Sequence, residues 1–202
     1  MMIAEIFRSI QGEGKSQGYP CTFLRLAGCN LSCNWCDTTY ALGEGTDKRE
    51  AEIISEIESL KGKRICITGG EPLLQGEKLL SLVRDLSVMG YDIEIETNGT
   101  FDFQQFQPYA SVCMDIKCPS SGEESDLSNL SCIGKKDSVR FVVGDHEDIR
   151  FAASVMERFP IRGEIFFSPV YGFPPLAVAE FLVARDLPAR LQLQIHKIIG
   201  VP

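Results

Sequence analysis

The sequence predicts an α/β fold, a parallel sheet covered by helices and rolled into a partial β/α barrel, and two regularities carry that prediction. Apolar, β-rich runs alternate with segments of helical period between residues 21 and 195. Glycines, cysteines and polar residues directly follow those runs. In a parallel β/α sheet this gathers them at the C-terminal strand ends, where active sites form. At 202 residues the chain reads as one domain, 1–202, long enough to bury a core without disulfides.

The elements follow in order. "CTFLRLA", from Cys21 to Ala27, reads as a strand opening into "GCNLSCNWC". "REAEIISEIESL" is a helix with Ile53, Ile57 and Leu60 on one face. The strand "RICIT" leads into "GGEP", where Pro72 suits a helix start. "EKLLSLVRDLSVMG" is a helix presenting Leu79, Val83 and Leu86. "DIEIE" and "SVCMDI" are strands separated only by a short polar stretch around "DFQQFQPYA", so one crossover is abbreviated. "SVRFVV" is a strand, and "EDIRFAASVMERF" a helix starting near Asp145, which leaves His146 no functional role. The strand "EIFFSP", the helix "PLAVAEFLVARDL" and the strand "RLQLQI" complete the pattern, and "ALGEGTDK" and "PSSGEESDLSNLS" read as loops.

Composition narrows the function. A formal charge of −8 and a pI near 4.9 provide no footprint for a phosphate backbone, so a small-molecule substrate is expected rather than nucleic acid. No stretch approaches a membrane span in length, and the opening "MMIAEIFRSIQGEG" lacks a basic segment followed by a long apolar run, so the cytoplasm is the expected compartment. Thiols stay reduced there, and clustered cysteines bind metal or react. Cys66 and Cys113, inside apolar runs, read as small buried hydrophobes.

Three of the eight cysteines, Cys29, Cys33 and Cys36, form a C-x₃-C-x₂-C motif. Zinc would need a distant fourth cysteine. Three thiolates can equally hold a [4Fe–4S] cluster and leave one iron open for a ligand. The spacing, with Trp35 just before the last cysteine, resembles the radical S-adenosylmethionine (SAM) superfamily, and "GGEP", Gly69 to Pro72, resembles the segment that receives SAM's amino group there. This resemblance implies a trimmed barrel of the radical SAM type.

Four further segments resemble the 7-carboxy-7-deazaguanine synthase family over essentially the whole chain: "SIQGEG" (Ser9–Gly14), "CDTTY" (Cys36–Tyr40), "ETNGT" (Glu96–Thr100) and "HKIIGVP" (His196–Pro202). The resemblance implies a lyase of 7-deazapurine biosynthesis, of the kind that feeds queuosine or archaeosine. It would convert 6-carboxy-5,6,7,8-tetrahydropterin to 7-carboxy-7-deazaguanine with loss of ammonia, by hydrogen abstraction at C6 with a 5′-deoxyadenosyl radical and Mg²⁺-assisted ring contraction. It further implies a homodimer, reduced by flavodoxin or ferredoxin.

Site residues follow from that resemblance and from donor and acceptor chemistry. Glu13 and Glu96 suit the pterin's guanidine-like edge, since carboxylates accept from adjacent N–H donors. Arg25 can pair with the substrate carboxylate as a fork. Gln11, Gly12, Thr68, His196 and the α-carboxylate of Pro202 are further substrate contacts by resemblance, so a C-terminal extension is expected to be harmful. Trp35, Gly69, Gly70, Glu71, Pro72, Thr97, Asn98, Lys117 and Ser120 are the SAM candidates, with Glu71 seen as unneeded by the turn itself. Thr38 is the Mg²⁺ candidate, with Asp37 second, while Cys118 has no assigned part. The plainer alternatives are an ordinary ion pair for Arg25 and a solvated strand end for Glu96. Three other functions remain open: a glycyl-radical activating enzyme, a non-catalytic iron–sulfur electron carrier, and a zinc-stabilised interaction domain.

Overall fold

Alternation along the strands sorts the side chains into an apolar face and a polar one. The computed structural model describes residues 1–202. Its strands are β1 (Met2–Ile10), β2 (Pro20–Leu26), β3 (Thr46–Asp47), β4 (Arg64–Gly69), β5 (Asp92–Thr97), β6 (Ser111–Lys117), β7 (Ser138–Val143), β8 (Glu164–Pro169) and β9 (Arg190–Leu191). The helices are α1 (Glu50–Ser59), α2 (Gly76–Val88), α3 (His146–Arg158), α4 (Pro175–Arg185) and the short α5 (Ile195–Ile199). One nine-stranded sheet runs β3-β1-β2-β4-β5-β6-β7-β8-β9, parallel from β2 onward, and its two edges do not meet, which makes it the expected partial barrel.

On the convex face Leu24, Ile65, Ile67, Ile93, Ile95, Val112, Met114, Val139, Phe141 and Phe167 meet Ile53 and Ile57 of α1, Leu79, Val83 and Leu86 of α2, and Ile149 and Val155 of α3 in one core of 35 buried residues. Leu60, expected on the α1 face, is only half-buried at the helix end. Asp145 caps α3 by accepting from the backbone N–H groups of Glu147 and Asp148, as its position predicts. The crossover from β5 to β6 is a 3₁₀ turn at Gln104–Phe106, the abbreviated connection anticipated.

Two strands differ from expectation. β1, unrecognised in the sequence, pairs antiparallel with β2 and carries a register shift between Ile3 and Glu5 that breaks the period-two pattern a strand would show. "RLQLQI" contributes only Arg190 and Leu191 to the sheet. Beyond them the Gln192 backbone N–H still donates to the Phe167 carbonyl of β8 at 2.9 Å, while its side chain turns inward, accepting from the Gly14 N–H at 2.9 Å and donating to the Gly14 carbonyl at 2.8 Å, and the chain continues across the barrel mouth into α5.

Candidate active site

The opposite residues of the same strands build the concave face: Arg25 on β2, Thr68 on β4, Glu96 on β5, Asp115 and Lys117 on β6, Arg140 on β7. All of them line one cavity with the cysteine loop, the turn after β1 and the C-terminal segment. Gln11, Gly12, Glu13, Trp35, Asp37, Thr38, Gly69, Gly70, Thr97, Asn98, His196 and Pro202 stand on its walls as the sequence predicts.

Cys29, Cys33 and Cys36 are free, half-buried thiols at one end of the cavity. Burial raises the Cys33 thiol above its ordinary value, against the pull of the nearby Lys117 ammonium. Nowhere do three His, Cys, Asp or Glu side chains converge closely enough for a single ion. Thiols standing apart on one loop suit a [4Fe–4S] cluster, whose irons are separate, better than a zinc ion. Cys29 sulfur also accepts from Leu31 N–H at 3.5 Å and faces Asn98 Nδ2 at 3.9 Å, donors of the kind that stabilise a thiolate. Cys118 packs into the apolar core on the other side of the sheet, so it supplies no fourth ligand.

Gly69 and Gly70 form the wall next to this loop, and a Cβ on Gly69 would lie 2.3 Å from the Leu26 carbonyl oxygen, which fixes glycine there. Glu71 and Pro72, the rest of that segment, are buried behind this wall. Glu71 serves the turn after all, because its carboxylate accepts from Leu73 N–H and Thr97 Oγ1 at 2.9 Å and from Asn98 N–H at 2.6 Å, tying the start of a 3₁₀ turn at Pro72–Gln75 to the end of β5. Burial pushes its carboxyl up to about 7 against those three donors. Ser120 likewise acts from behind, accepting from Trp35 Nε1 at 3.0 Å and donating to Asp148. Lys117 sits 5.6 Å from the centre of the Trp35 ring and pairs with Asp115 at 3.4 Å.

At the other end, Glu96 accepts from Gln11 Nε2 at 3.2 Å and Thr68 Oγ1 at 3.4 Å. Its carboxyl is raised by burial first, with Glu13 and Asp115 adding repulsion and Arg140 and Arg25 opposing. Glu13 accepts from the Ser168 hydroxyl at 3.1 Å. Arg25 donates through Nε to Glu5 Oε1 at 2.8 Å, an ion pair that coexists with its place on the cavity wall. Tyr40 of "CDTTY" donates to the same oxygen at 2.7 Å and so connects the cysteine loop to this pair. His196 packs against Gly12, where a Cβ would lie 1.9 Å from Nδ1, and burial lowers its basicity.

Thr38 Oγ1 donates to Asp37 Oδ1 at 3.0 Å, and Lys197 donates to the other carboxylate oxygen. Partial burial works to raise the Asp37 carboxyl, but Lys197 and Thr38 outweigh it and hold it low. The oxygens suit Mg²⁺, and a lysine already occupies part of the set. Sequence reading missed Asp115, Arg140, Lys197 and Glu94, the last a carboxylate beneath Glu96 on the same face of β5. For Glu94, Asp115 and Arg140 the available signal was a charge inside an otherwise apolar strand, whereas Lys197 on α5 offered none.

An incomplete parallel barrel with three thiols on the loop after β2 and a glycine turn after β4 defines a radical SAM enzyme, and residues 24–115 match the radical SAM superfamily. The likeness then narrows. A 7-carboxy-7-deazaguanine synthase of Methanospirillum hungatei is 48% identical over 100% of this chain and 86% of its own length. One from Clostridium acetobutylicum is 38% identical over 99% of this chain and 96% of its own. The crystal structure of QueE from Escherichia coli superposes with a TM-score of 0.78 at 26% identity, covering 96% of this chain and 93% of that one. The chain belongs to the 7-carboxy-7-deazaguanine synthase family.

Proposed function

We infer that this chain, as one domain spanning 1–202, converts 6-carboxy-5,6,7,8-tetrahydropterin to 7-carboxy-7-deazaguanine with release of ammonia. The observation that carries the reading is that the cysteine loop and a set of pterin-matching acceptors line one cavity. Cys29, Cys33 and Cys36 would hold the [4Fe–4S] cluster, and SAM would lie along Gly69, Gly70, Trp35, Thr97, Asn98 and Lys117, with Glu71, Pro72 and Ser120 supporting those contacts from behind. Bound together, cluster and SAM supply the one-electron chemistry that begins with hydrogen abstraction at C6 of the substrate.

The chain's own groups bind and orient. Glu13 and Glu96 accept from the amino and ring N–H groups of the pterin, with Gln11 and Thr68 fixing Glu96. Arg25 keeps its Nη groups for the substrate carboxylate while Glu5 holds its Nε. His196, kept neutral by burial, closes the cavity over Gly12 beside Pro202 and helps exclude water. Thr38, with Asp37 second, would hold the Mg²⁺, which would supply charge stabilisation to an anionic substrate group. The family resemblance adds a homodimer and a flavodoxin or ferredoxin reductant, and the acidic balance of −8 fits a protein that does not grip nucleic acid directly. Light scattering on the loaded protein tests the dimer.

The test of the reaction is mass spectrometry of anaerobically reconstituted protein given reductant, Mg²⁺, SAM and the pterin. Formation of 7-carboxy-7-deazaguanine, abolished in Cys33→Ala, is expected. SAM cleavage with the pterin untouched would defeat the substrate assignment and favour an activating enzyme.

A further inference from the structure

Arg140 is the most heavily paired side chain in the molecule and lies between the groups just described. It is 4% exposed, in the middle of β7, and reaches carboxylates from three other parts of the sheet. Nε and Nη2 hold Asp115 of β6 at 2.7 and 3.0 Å as a bidentate pair. Nη1 lies 2.7 Å from Glu13 Oε2 in the turn after β1, and Nη2 lies 3.6 Å from Glu96 Oε2 of β5. The Glu13 contact is an ion pair out of line for a hydrogen bond, leaving Nη1 otherwise unpartnered.

Two carboxylates facing one ligand repel each other, and in a buried site one of them takes up a proton unless a cation stands between them. A neutral carboxyl presents a hydroxyl donor in place of an acceptor. We propose that Arg140 is a positioning residue for substrate recognition, whose planar guanidinium, anchored on Asp115, holds Glu13 and Glu96 as two charged acceptors for the amino-bearing edge of the pterin. The proposal rests on the functional reading above. Lysine could not replace it, because a point charge spans neither the fork to Asp115 nor the distance to two further carboxylates.

The groups facing Glu96 set the expected pH response. They are Arg140 from β7, Glu13 from the β1–β2 turn, Asp115 from β6 and Arg25 from β2, with the Cys66 and Cys113 thiols and Glu94 below. Among these charged and titratable groups the two arginines favour its charged form, and the neutral donors Gln11 and Thr68 add to them. Removing Arg140 therefore raises the Glu96 carboxyl, and the charged acceptor appears only at higher pH. For loss of one adjacent guanidinium the shift is about 1–3 pH units.

The experiment compares loaded wild-type protein with Arg140→Gln, Arg140→Lys and Arg140→Gln/Glu96→Gln. In Arg140→Gln the acid limb of kcat/KM for the pterin should move up in pH. At neutral pH kcat/KM should fall by about 10²-fold, the order expected when a reacting group is misplaced by about 1 Å. Arg140→Lys keeps a cation beside Glu96 and should leave the acid limb near that of the parent without restoring KM; should the glutamine variant not fold, a parental KM in Arg140→Lys would overturn the need for the planar fork. Infrared titration provides a readout independent of turnover: Arg140→Gln should gain a protonated-carboxyl signal at neutral pH, beyond those of Glu71 and Glu94, and the double variant should lose it. An unmoved acid limb with no new carboxyl signal, and activity lost equally at all pH values, would mean that Arg140 is only a staple of the fold and would overturn the proposal. Wild-type protein that leaves the pterin untouched while the infrared change appears would instead remove the substrate assignment and keep the carboxylate clamp.

Discussion

Replacing Glu94 with glutamine should stabilise the protein at neutral and alkaline pH and do little in acid. Glu94 is 4% exposed, its Oε2 has no partner, and its Oε1 has a long contact, 3.4 Å, to Lys15 N–H. Burial first, and the neighbouring Glu96 charge second, push its carboxyl from 4.5 up to about 7. The folded chain therefore retains a proton that the unfolded chain has released, and the stability present below pH 4.5 is lost as pH rises to about 7. At about 1.4 kcal/mol per pH unit, this window corresponds to roughly 3 kcal/mol. Glutamine has no proton to lose, so Glu94→Gln should match the parent in acid to within its own hydrogen-bonding change and exceed it by roughly 3 kcal/mol above the window. In a chain this size that is a difference in Tm opening by roughly 6–12 °C between acid and mildly alkaline buffer. Circular dichroism melts of anaerobic, cluster-loaded protein across that range measure it. A gap between variant and parent that stays constant with pH would show that Glu94 is not a buried neutral acid, and the reasoning would fail.

Gly12→Ala places a methyl 1.9 Å from His196 Nδ1, so His196 must swing out of the cavity; the overpacking strain of about 1–3 kcal/mol should appear as a raised pterin KM with SAM cleavage retained, read by steady-state kinetics. Lys197→Gln removes the cation from Asp37 and should tighten Mn²⁺ binding, measured by electron paramagnetic resonance of the titrated ion, by about two- to five-fold, the scale of an exposed ion pair.

The fold was legible wherever hydrophobic period survived, and β1 and β9 show where it did not. Ile67, Ile95, Met114 and Phe141 announce their strands because one whole face must enter the core. β1 hides because the shift at Ile3/Glu5 changes which face its residues take, and β9 is short because after Gln192, whose N–H still reaches the Phe167 carbonyl, the chain turns toward the β1–β2 loop, where the Ile195 N–H donates to the Gly12 carbonyl. Much of the site was legible through its motifs, since "QGEG", the cysteine loop and "ETNGT" each reach the cavity. Glu71 was misread because a cap that bridges two loops leaves no local pattern beyond an acid before a proline. Arg140 was passed over inside "SVRFVV", where five apolar or small neighbours suggest an ordinary core strand. Its meaning depends on Glu13 and Asp115, remote in sequence and adjacent only once the sheet has formed.

The long-range pairing also gives the cavity its chemical preference. Along its wall the carboxylates of Glu13, Glu96 and Asp115 stand with the cations of Arg25, Lys117 and Arg140, and Glu5 pairs with Arg25 from outside the cavity. Asp115 is claimed twice, by Arg140 of β7 and by Lys117 of its own strand, and these partners offset the burial costs of the ions. What remains unclaimed is acceptor capacity around Glu13 and Glu96, at the end away from the cysteines, and donor capacity on the Arg25 guanidinium, whose Nε alone is engaged. A ligand completing this arrangement offers several N–H donors on one edge and a carboxylate elsewhere on the same small molecule. A carboxylated pterin has both, whereas a glycyl-radical partner protein would present a peptide backbone with one donor per residue and no fixed anion for Arg25 to meet.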